Sequence, residues 1–329
     1  MLTRSGVLQC AFGMVVLGAS VPVSRLVLDF PDLTGQAGRY ALAALAFLAI
    51  ARIRRLPRMR LSMGDGVRLV ALAATGLVLF NVLLLTALRH ADPAVVGTVV
   101  GGTPLVLAIL GPLLRRRRPG GLLLLAAVVV IVGGALVHGG GSADPVGLAA
   151  ALGTLAGEVL FSLFAVPLLP RLGPLRVSMY SCLLAVPMLA VALVVAGEPA
   201  RWRVPTAAEA AGYAYLGGLL TVIAFLAWYG GLNRLGPERA GLFVGLLPPV
   251  SLVVTALIDQ RMPALVQIVG VLVVAAGLVL GLRGSTLDSP DPVHVTEDGG
   301  AQGGLRVEPG ADGVGDLPQQ RGAEVGIAG

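Results

Sequence analysis

The 329-residue sequence contains no lysine; all 24 of its basic residues are arginine. Charge of either sign is scarce, at 13% of residues, and aromatic side chains make up 5%. Only two cysteines, Cys10 and Cys182, and three histidines, His90, His138 and His294, occur. Each shortage excludes something. Without lysine there is no Walker A loop, G-x-x-x-x-G-K-[ST], to hold nucleotide phosphates, which argues against a built-in ATP motor. Two cysteines inside apolar runs make no disulfide framework and serve there as small hydrophobes. The histidines form no H-E-x-x-H or other close ligand pair, so neither a metal nor a cofactor is expected. No paired intramembrane aspartates and no nucleophile-base spacing occur, so the chain does not read as an enzyme. Nor does it read as a nucleic-acid binder. Such a protein would gather arginine with interleaved aromatics on a soluble face, whereas these arginines sit in short gaps between apolar runs.

What is abundant is apolar: 56% of residues are hydrophobic, and mean hydropathy is +0.88. Apolar runs separated by charged or Pro/Gly breaks fall at 6–28, 33–50, 67–88, 93–114, 119–137, 146–169, 175–196, 207–232, 238–258 and 263–282. Most are near the roughly 20 residues that cross a bilayer as a helix. They are continuous rather than alternating, which excludes a transmembrane barrel. The fold class is an all-α membrane protein of ten transmembrane helices, with the lipid bilayer as its surroundings. Residues 1–283 carry net charge +12, whereas 284–329 carry −6 and are rich in Gly, Asp, Glu and Pro. That last segment is expected to be a disordered cytoplasmic tail. Counting arginines in alternate gaps gives 16 on one side and 6 on the other. By the positive-inside rule both termini are cytoplasmic in a multi-pass plasma-membrane protein.

The sequence also repeats itself. Residues 88–137 slide onto 232–281 at a constant offset of 144 with 14 of 50 positions identical and no gap. The matches include Pro93/Pro237, Gly97/Gly241, Gly101/Gly245, Pro104/Pro248, Pro119/Pro263 and Gly133/Gly277. Glycine and proline disfavour helix interiors, so matched placement implies matched backbone geometry. The earlier parts of the two halves match weakly. Five spans is an odd number, so the second half enters the membrane upside down relative to the first, giving two inverted five-helix repeats, 1–138 and 145–283. The charges agree, since Arg115 to Arg118 are replaced at the matching gap by Asp259, Gln260, Arg261 and Met262.

Ten helices in inverted halves, with Pro-x-x-x-Gly-x-x-x-Gly-x-x-Pro at 93–104 and again at 237–248, resemble the EamA-type members of the drug/metabolite transporter superfamily. The resemblance covers residues 6–283; the tail is a departure from it. It implies a bundle with a central cavity between the halves, the fifth and tenth helices peripheral, and alternating-access movement of small polar or amphipathic metabolites. Efflux of amino-acid-like or drug-like molecules is the direction it suggests. An intramembrane enzyme, or a receptor or scaffold without transport, is the alternative class.

Glu158 is the one acid deep within a span, and an unpaired carboxylate there must face a cavity, be protonated or be paired. It is a candidate proton carrier or anchor for a substrate amine, with protons the candidate coupling ion; a structural hydrogen bond between helices is the plainer alternative. Arg39, a turn or two inside the second span, holds a position resembling an arginine often found there in EamA-type proteins. It could bind a carboxylate, lock a gate, or snorkel to headgroups, as Arg25 is expected to do. Asn81 and Gln267 are polar at membrane depth and suit interhelical hydrogen bonds, with Asn81 a further cavity candidate. Gly97, Gly101, Gly241 and Gly245, with Pro104, Pro248 and Pro249, are hinge or packing candidates, and Pro248-Pro249 should kink the ninth span. Trp228, Tyr229, Tyr213 and Tyr215 read as an interfacial aromatic belt, and Arg115 to Arg118 as a headgroup anchor.

Overall fold

The computed structural model describes residues 4–27, 29–57 and 59–287. Ten helices in it are long and apolar enough to cross a membrane. They are α1 (Arg4–Val27), α2 (Asp32–Ile53), α3 (Met63–His90), α4 (Pro93–Leu114), α5 (Gly121–His138), α6 (Pro145–Ala165), α7 (Leu169–Val195), α8 (Ala207–Leu235), α9 (Pro237–Asp259) and α10 (Leu265–Leu287). The last runs past the expected end, so residues 284–287, assigned to the tail from composition, are helical. The rest of the expected disordered tail lies outside the described residues. Within α7, Gly173 at φ 74° separates a short first turn from the long span that Pro174 begins.

Sequence-local signals start these helices. Proline occupies the first position of α4, α6 and α9, where its missing N–H costs nothing. A capping box opens α3: the Asp65 amide donates to Ser62 Oγ, and the Ser62 amide donates to the Asp65 carboxylate at 2.9 Å. Another opens α8, where the Thr206 amide donates to Glu209 at 2.7 Å and the Glu209 amide returns to Thr206. Ser62/Thr206 and Asp65/Glu209 are both 144 apart, so the repeat register extends well ahead of the segment where sequence identity showed it. Each acid also meets an arginine, Arg171 for Asp65 and Arg203 for Glu209. The two boxes lie at opposite ends of the bundle, as inversion requires.

The repeats join through 139–144, which lies against the α3–α4 connection. The Ser142 amide donates to Asp92 at 2.7 Å, His90 bonds Asp144 at 2.8 Å, and Ala91 pairs with Ala143 as an isolated antiparallel bridge. Asp144 also caps α6 by accepting from the Gly147 amide. The Ser142 amide and hydroxyl hold the Asp92 carboxyl below the usual carboxylate range, and the Gly147 amide with His90 does the same for Asp144.

The most intimate contact between the halves is α5 against α10, and it is reciprocal. A Cβ on Gly133 would lie 2.7 Å from the Val274 nitrogen and 2.8 Å from the Gly270 carbonyl oxygen. One on Gly277 would lie 3.0 Å from the Val130 nitrogen and 3.1 Å from the Ala126 oxygen. Gly133/Gly277, Val130/Val274 and Ala126/Gly270 are all repeat mates, so one contact is made twice around a pseudo-twofold axis. The remaining faces of α5 and α10 carry exposed apolar residues such as Leu125, Val132, Leu272 and Val279, which suits a pair at the bundle's edge.

Three outcomes follow. Gly133→Leu or Gly277→Leu forces the two backbones apart and should cost about 1–3 kcal/mol or more, read as a lower unfolding temperature in detergent. Gly66→Ala, where a Cβ meets nothing within 4 Å, should be neutral or stabilising. The linker should loosen in acid: a carboxyl whose folded value is depressed contributes fully at neutral pH and loses that contribution as pH falls from about 4 through the lowered value. Faster amide exchange at Ser142 on acidification, beyond the intrinsic pH effect and abolished by Asp92→Ala, is the expected result.

Candidate functional site

Besides the Gly173 turn of α7 and the 3-10 end of α1, regular helix geometry fails inside four spans, at matching places. In α4, the helix ends at Val100 and restarts at Thr103 across Gly101-Gly102; in α9, it narrows to a 3-10 turn over Phe243–Leu246 before restarting at Leu247. Pro104 and Pro248 are the second residues of the restarted halves, with Pro249 following, so the prolines sit where a missing N–H breaks no hydrogen bond. α3 widens to π geometry over Ala74–Leu79, and α8 does so over Tyr215–Ala224. Shifted by 144, the first stretch falls inside the second. Such π turns are common at functional sites.

Exposure varies along these helices. Residues 80–86 of α3 are all half-buried, as are 97–102 of α4 and most of 250–256 of α9. Towards the arginine-rich end the same helices are sealed: Leu69, Leu72, Ala73 and Leu77 of α3, Thr103, Pro104, Leu107 and Ala108 of α4, and Ala240–Gly245 of α9 are buried. Burial therefore rises along these helices from the arginine-poor end to the arginine-rich end. At the sealed end Arg115 reaches Glu238 at 3.3 Å, tying the end of α4 to the start of α9. Arg115 thus leaves the run read as a headgroup anchor and makes a specific bridge.

Glu158 lies thirteen residues into α6, about 20 Å from its start, and is half-buried. Its carboxylate is 3.3 Å from Thr103 Oγ1, at the restart of α4. Thr103 is fully buried, and its hydroxyl also lies 2.8 Å from the Val100 carbonyl. One hydroxyl hydrogen cannot serve both acceptors fully. Given to Val100, it leaves the threonine oxygen to accept from a protonated Glu158; turned to Glu158, it supports the ionised carboxylate. The broken helix therefore meets either protonation state. One turn along α6, Phe161 stacks on Tyr229 of α8 at 5.1 Å and packs against Phe225 at 5.3 Å. Tyr229 is fully buried and Trp228 nearly so. They are core rather than interfacial belt, because this part of α8 turns both rings into the bundle; the Tyr229 hydroxyl there has no partner among the described residues.

Arg39 and Asn81 belong to a second arrangement. Asn81 bonds the Leu77 carbonyl, in the π stretch of α3, and reaches the Tyr40 hydroxyl at 3.2 Å. Its neighbour on α2, Arg39, donates from Nε to Thr221 Oγ1 at 2.8 Å and from Nη1 to Gln36 at 3.1 Å. Thr221 in turn donates to the Leu216 carbonyl five residues back, the π spacing of α8. Consecutive residues of α2 thus bond the π stretch of α8 directly, through Arg39, and that of α3 by way of Asn81, through Tyr40. Arg39 is held towards α8 rather than extended to headgroups, and no direct bond joins it to Glu158. Arg25 pairs with Asp259 at 3.1 Å, and Gln267 donates to the Val137 carbonyl at 3.2 Å.

The glycines divide. Gly241 packs on Leu107 of α4, but Gly97 faces the His138 ring and Gly245 faces Val130, both on α5; the Gly101 amide bonds Gly97 within the break. Of the four, only Gly241 sits at an α4–α9 contact. Sequence reasoning missed both capping boxes, although the [ST]-x-x-[DE] spacing at 62–65 and 206–209 was visible. It also missed the two π stretches, which have no simple sequence signal.

An inverted ten-helix bundle with paired helix breaks suits a membrane carrier. The EamA-like transporter family model matches residues 4–138 and again 146–283, and the chain belongs to that family. Among similar proteins is one named "Uncharacterized transporter YetK" from Bacillus subtilis (strain 168), 24% identical over 276 residues, covering 82% of this chain and 84% of that protein. A solved crystal structure shares the fold with a TM-score of 0.75 at 20% identity, covering 87% of this chain and all of the other.

The Asn81 bonds yield an expected outcome. Asn81→Leu deprives both the Leu77 carbonyl and the Tyr40 hydroxyl of a partner and should destabilise the protein by about 1 kcal/mol, measured by unfolding in mixed detergent. Tyr40→Phe, which keeps the Asn81–Leu77 bond, should cost less.

Proposed function

We propose that this protein is a secondary exporter of small polar or amphipathic metabolites, working by alternating access, with Glu158 as its coupling or binding carboxyl. The observation that carries this reading is the half-buried Glu158 at the depth of the helix breaks, bonded to the residue that restarts α4. In this reading the half-buried runs of α3, α4 and α9 line a vestibule that, with the arginine-rich end cytoplasmic, opens to the outside, and Arg115–Glu238 closes the cytoplasmic end. The inverted breaks of α4 and α9 supply the means of exchange: what α4 does at one face, α9 does at the other. The aromatic group of Phe161, Phe225 and Tyr229 favours a substrate with an apolar or cationic portion, since a carboxylate beside ring faces suits an amine.

Glu158→Gln in proteoliposomes tests the reading, because glutamine keeps shape and loses the titrating proton. A proton carrier should lose pH-driven uphill transport while keeping substrate exchange; an amine anchor should lose both. Wild-type concentrating activity in this variant would remove Glu158 from the mechanism. Orientation is checked separately. A reporter fused after Arg283 should behave as cytoplasmic and one within 139–144 as external; the opposite signals would reverse the direction assigned to the vestibule.

A further inference from the structure

Five arginines at the helix ends each meet an acid: Arg25 with Asp259, Arg89 with Asp32, Arg115 with Glu238, Arg171 with Asp65 and Arg203 with Glu209. Arg39 is different. It lies seven residues into α2, about 10 Å beyond the helix start, and its bonds are all to neutral groups: Thr221, Gln36 and the face of Tyr40. Among the described residues no Asp or Glu pairs with it, and Nη2 donates to nothing. A permanent cation at that depth is costly without an anion. Unlike a lysine, it cannot shed its proton to escape that cost.

Beside it lies a groove of about 320 Å³ between α2 and the first part of α8. Arg39 forms part of its lining, with Phe30 and Tyr213 at one end and Gly38, Leu42 and Ala214 along its length. Gly38, Leu42 and Ala214 are exposed on the bundle's outer surface, so the groove opens sideways towards lipid rather than into the vestibule. Phe30 and Tyr213 meet edge to face at 5.6 Å and form an aromatic end wall. An apolar trough with one fixed, unneutralised guanidinium is a complementary shape for an anion with an apolar body.

We propose that this groove binds an amphipathic organic carboxylate, entering from the bilayer with its carboxylate on Arg39 and its alkyl or aryl tail along Gly38, Leu42 and Ala214. The occupant is a free carboxylate rather than a phospholipid. A trough of about 320 Å³ takes one short chain rather than the two acyl chains of a phospholipid, and Thr221 keeps the guanidinium turned towards α8. The site is separate from Glu158 and does not depend on the role given to that residue. Thr221 belongs to the π stretch of α8, so a carboxylate drawing the guanidinium off its hydroxyl acts on a segment whose repeat mate flanks the vestibule.

The test is equilibrium binding of radiolabelled laurate to the full chain in phosphatidylcholine nanodiscs, with dodecanol as the uncharged match. Laurate should bind saturably and more tightly than dodecanol. Arg39→Gln should weaken laurate at least about tenfold, the usual effect of removing a charged hydrogen-bond partner, and leave dodecanol unchanged. Gly38→Leu keeps the charge; a Cβ there meets nothing within 4 Å, so the variant should fold while its side chain fills the trough and lowers laurate binding. If Arg39→Gln does not fold, this second variant decides. Glu158→Gln should bind laurate like wild type, whatever it does to transport. Equal laurate binding by wild type and Gly38→Leu, equal binding of dodecanol and laurate, or no saturable binding would each overturn the proposal. So would loss of laurate binding when phosphatidylglycerol replaces phosphatidylcholine, since the groove would then be a phospholipid site.

Discussion

Inside a bilayer every backbone N–H and C=O must find its partner within the protein, because no water is there to take one. That demand makes the described residues helical almost throughout, and it also makes each departure from a regular helix informative. Where α3 and α8 widen, a side chain steps in for the displaced backbone bond: Asn81 at the Leu77 carbonyl and Thr221 at the Leu216 carbonyl. Where α4 breaks, Thr103 returns to the Val100 carbonyl. These substitutes then bind Tyr40, Arg39 and Glu158, so the polar groups at membrane depth are consequences of how the helices are interrupted.

The division of charge follows the same logic. Among the described residues, several acids outside the spans serve as caps or bridges; Glu198, for instance, accepts from the Leu33 and Thr34 amides at the start of α2, where unpaired N–H groups favour an anion. Glu158 and Arg39 are kept apart by the bundle, one bonded to Thr103 of α4 and the other to Thr221 of α8. Neither neutralises the other, so both keep the capacity to meet something that is not part of the chain.

The number of helices was readable from hydropathy, and their limits to within several residues, because a span needs only length and apolar content. The inversion was readable from an odd helix count, and the helix breaks from duplicated glycine and proline. What each glycine touches was not readable. Spacing shows that Gly97, Gly241 and Gly245 need close neighbours, but whether the neighbour is α4 or α5 depends on helix rotation, which every apolar face of this sequence leaves open. Trp228 and Tyr229 misled for the same reason: closeness to a helix end suggests a belt, yet the facing direction of the turn decides burial. Glu158 was found by its depth, whereas its partner Thr103 is an ordinary residue made useful by the break preceding it.

The α5–α10 crossing has the form of an isologous contact, in which residue i meets j and j meets i, although both sides belong to one chain. Gly133 meets Val274 as Gly277 meets Val130. A five-helix half made by itself would therefore carry both members of the contact on one face, ready to meet a second copy of itself lying the opposite way up in the membrane. Such a pair would need every copy to insert in either orientation, with no arginine bias to choose between them. Fusing the halves removes that requirement, and once each half has a fixed orientation its charges are free to diverge, as Arg115 and its repeat mate Asp259 have done.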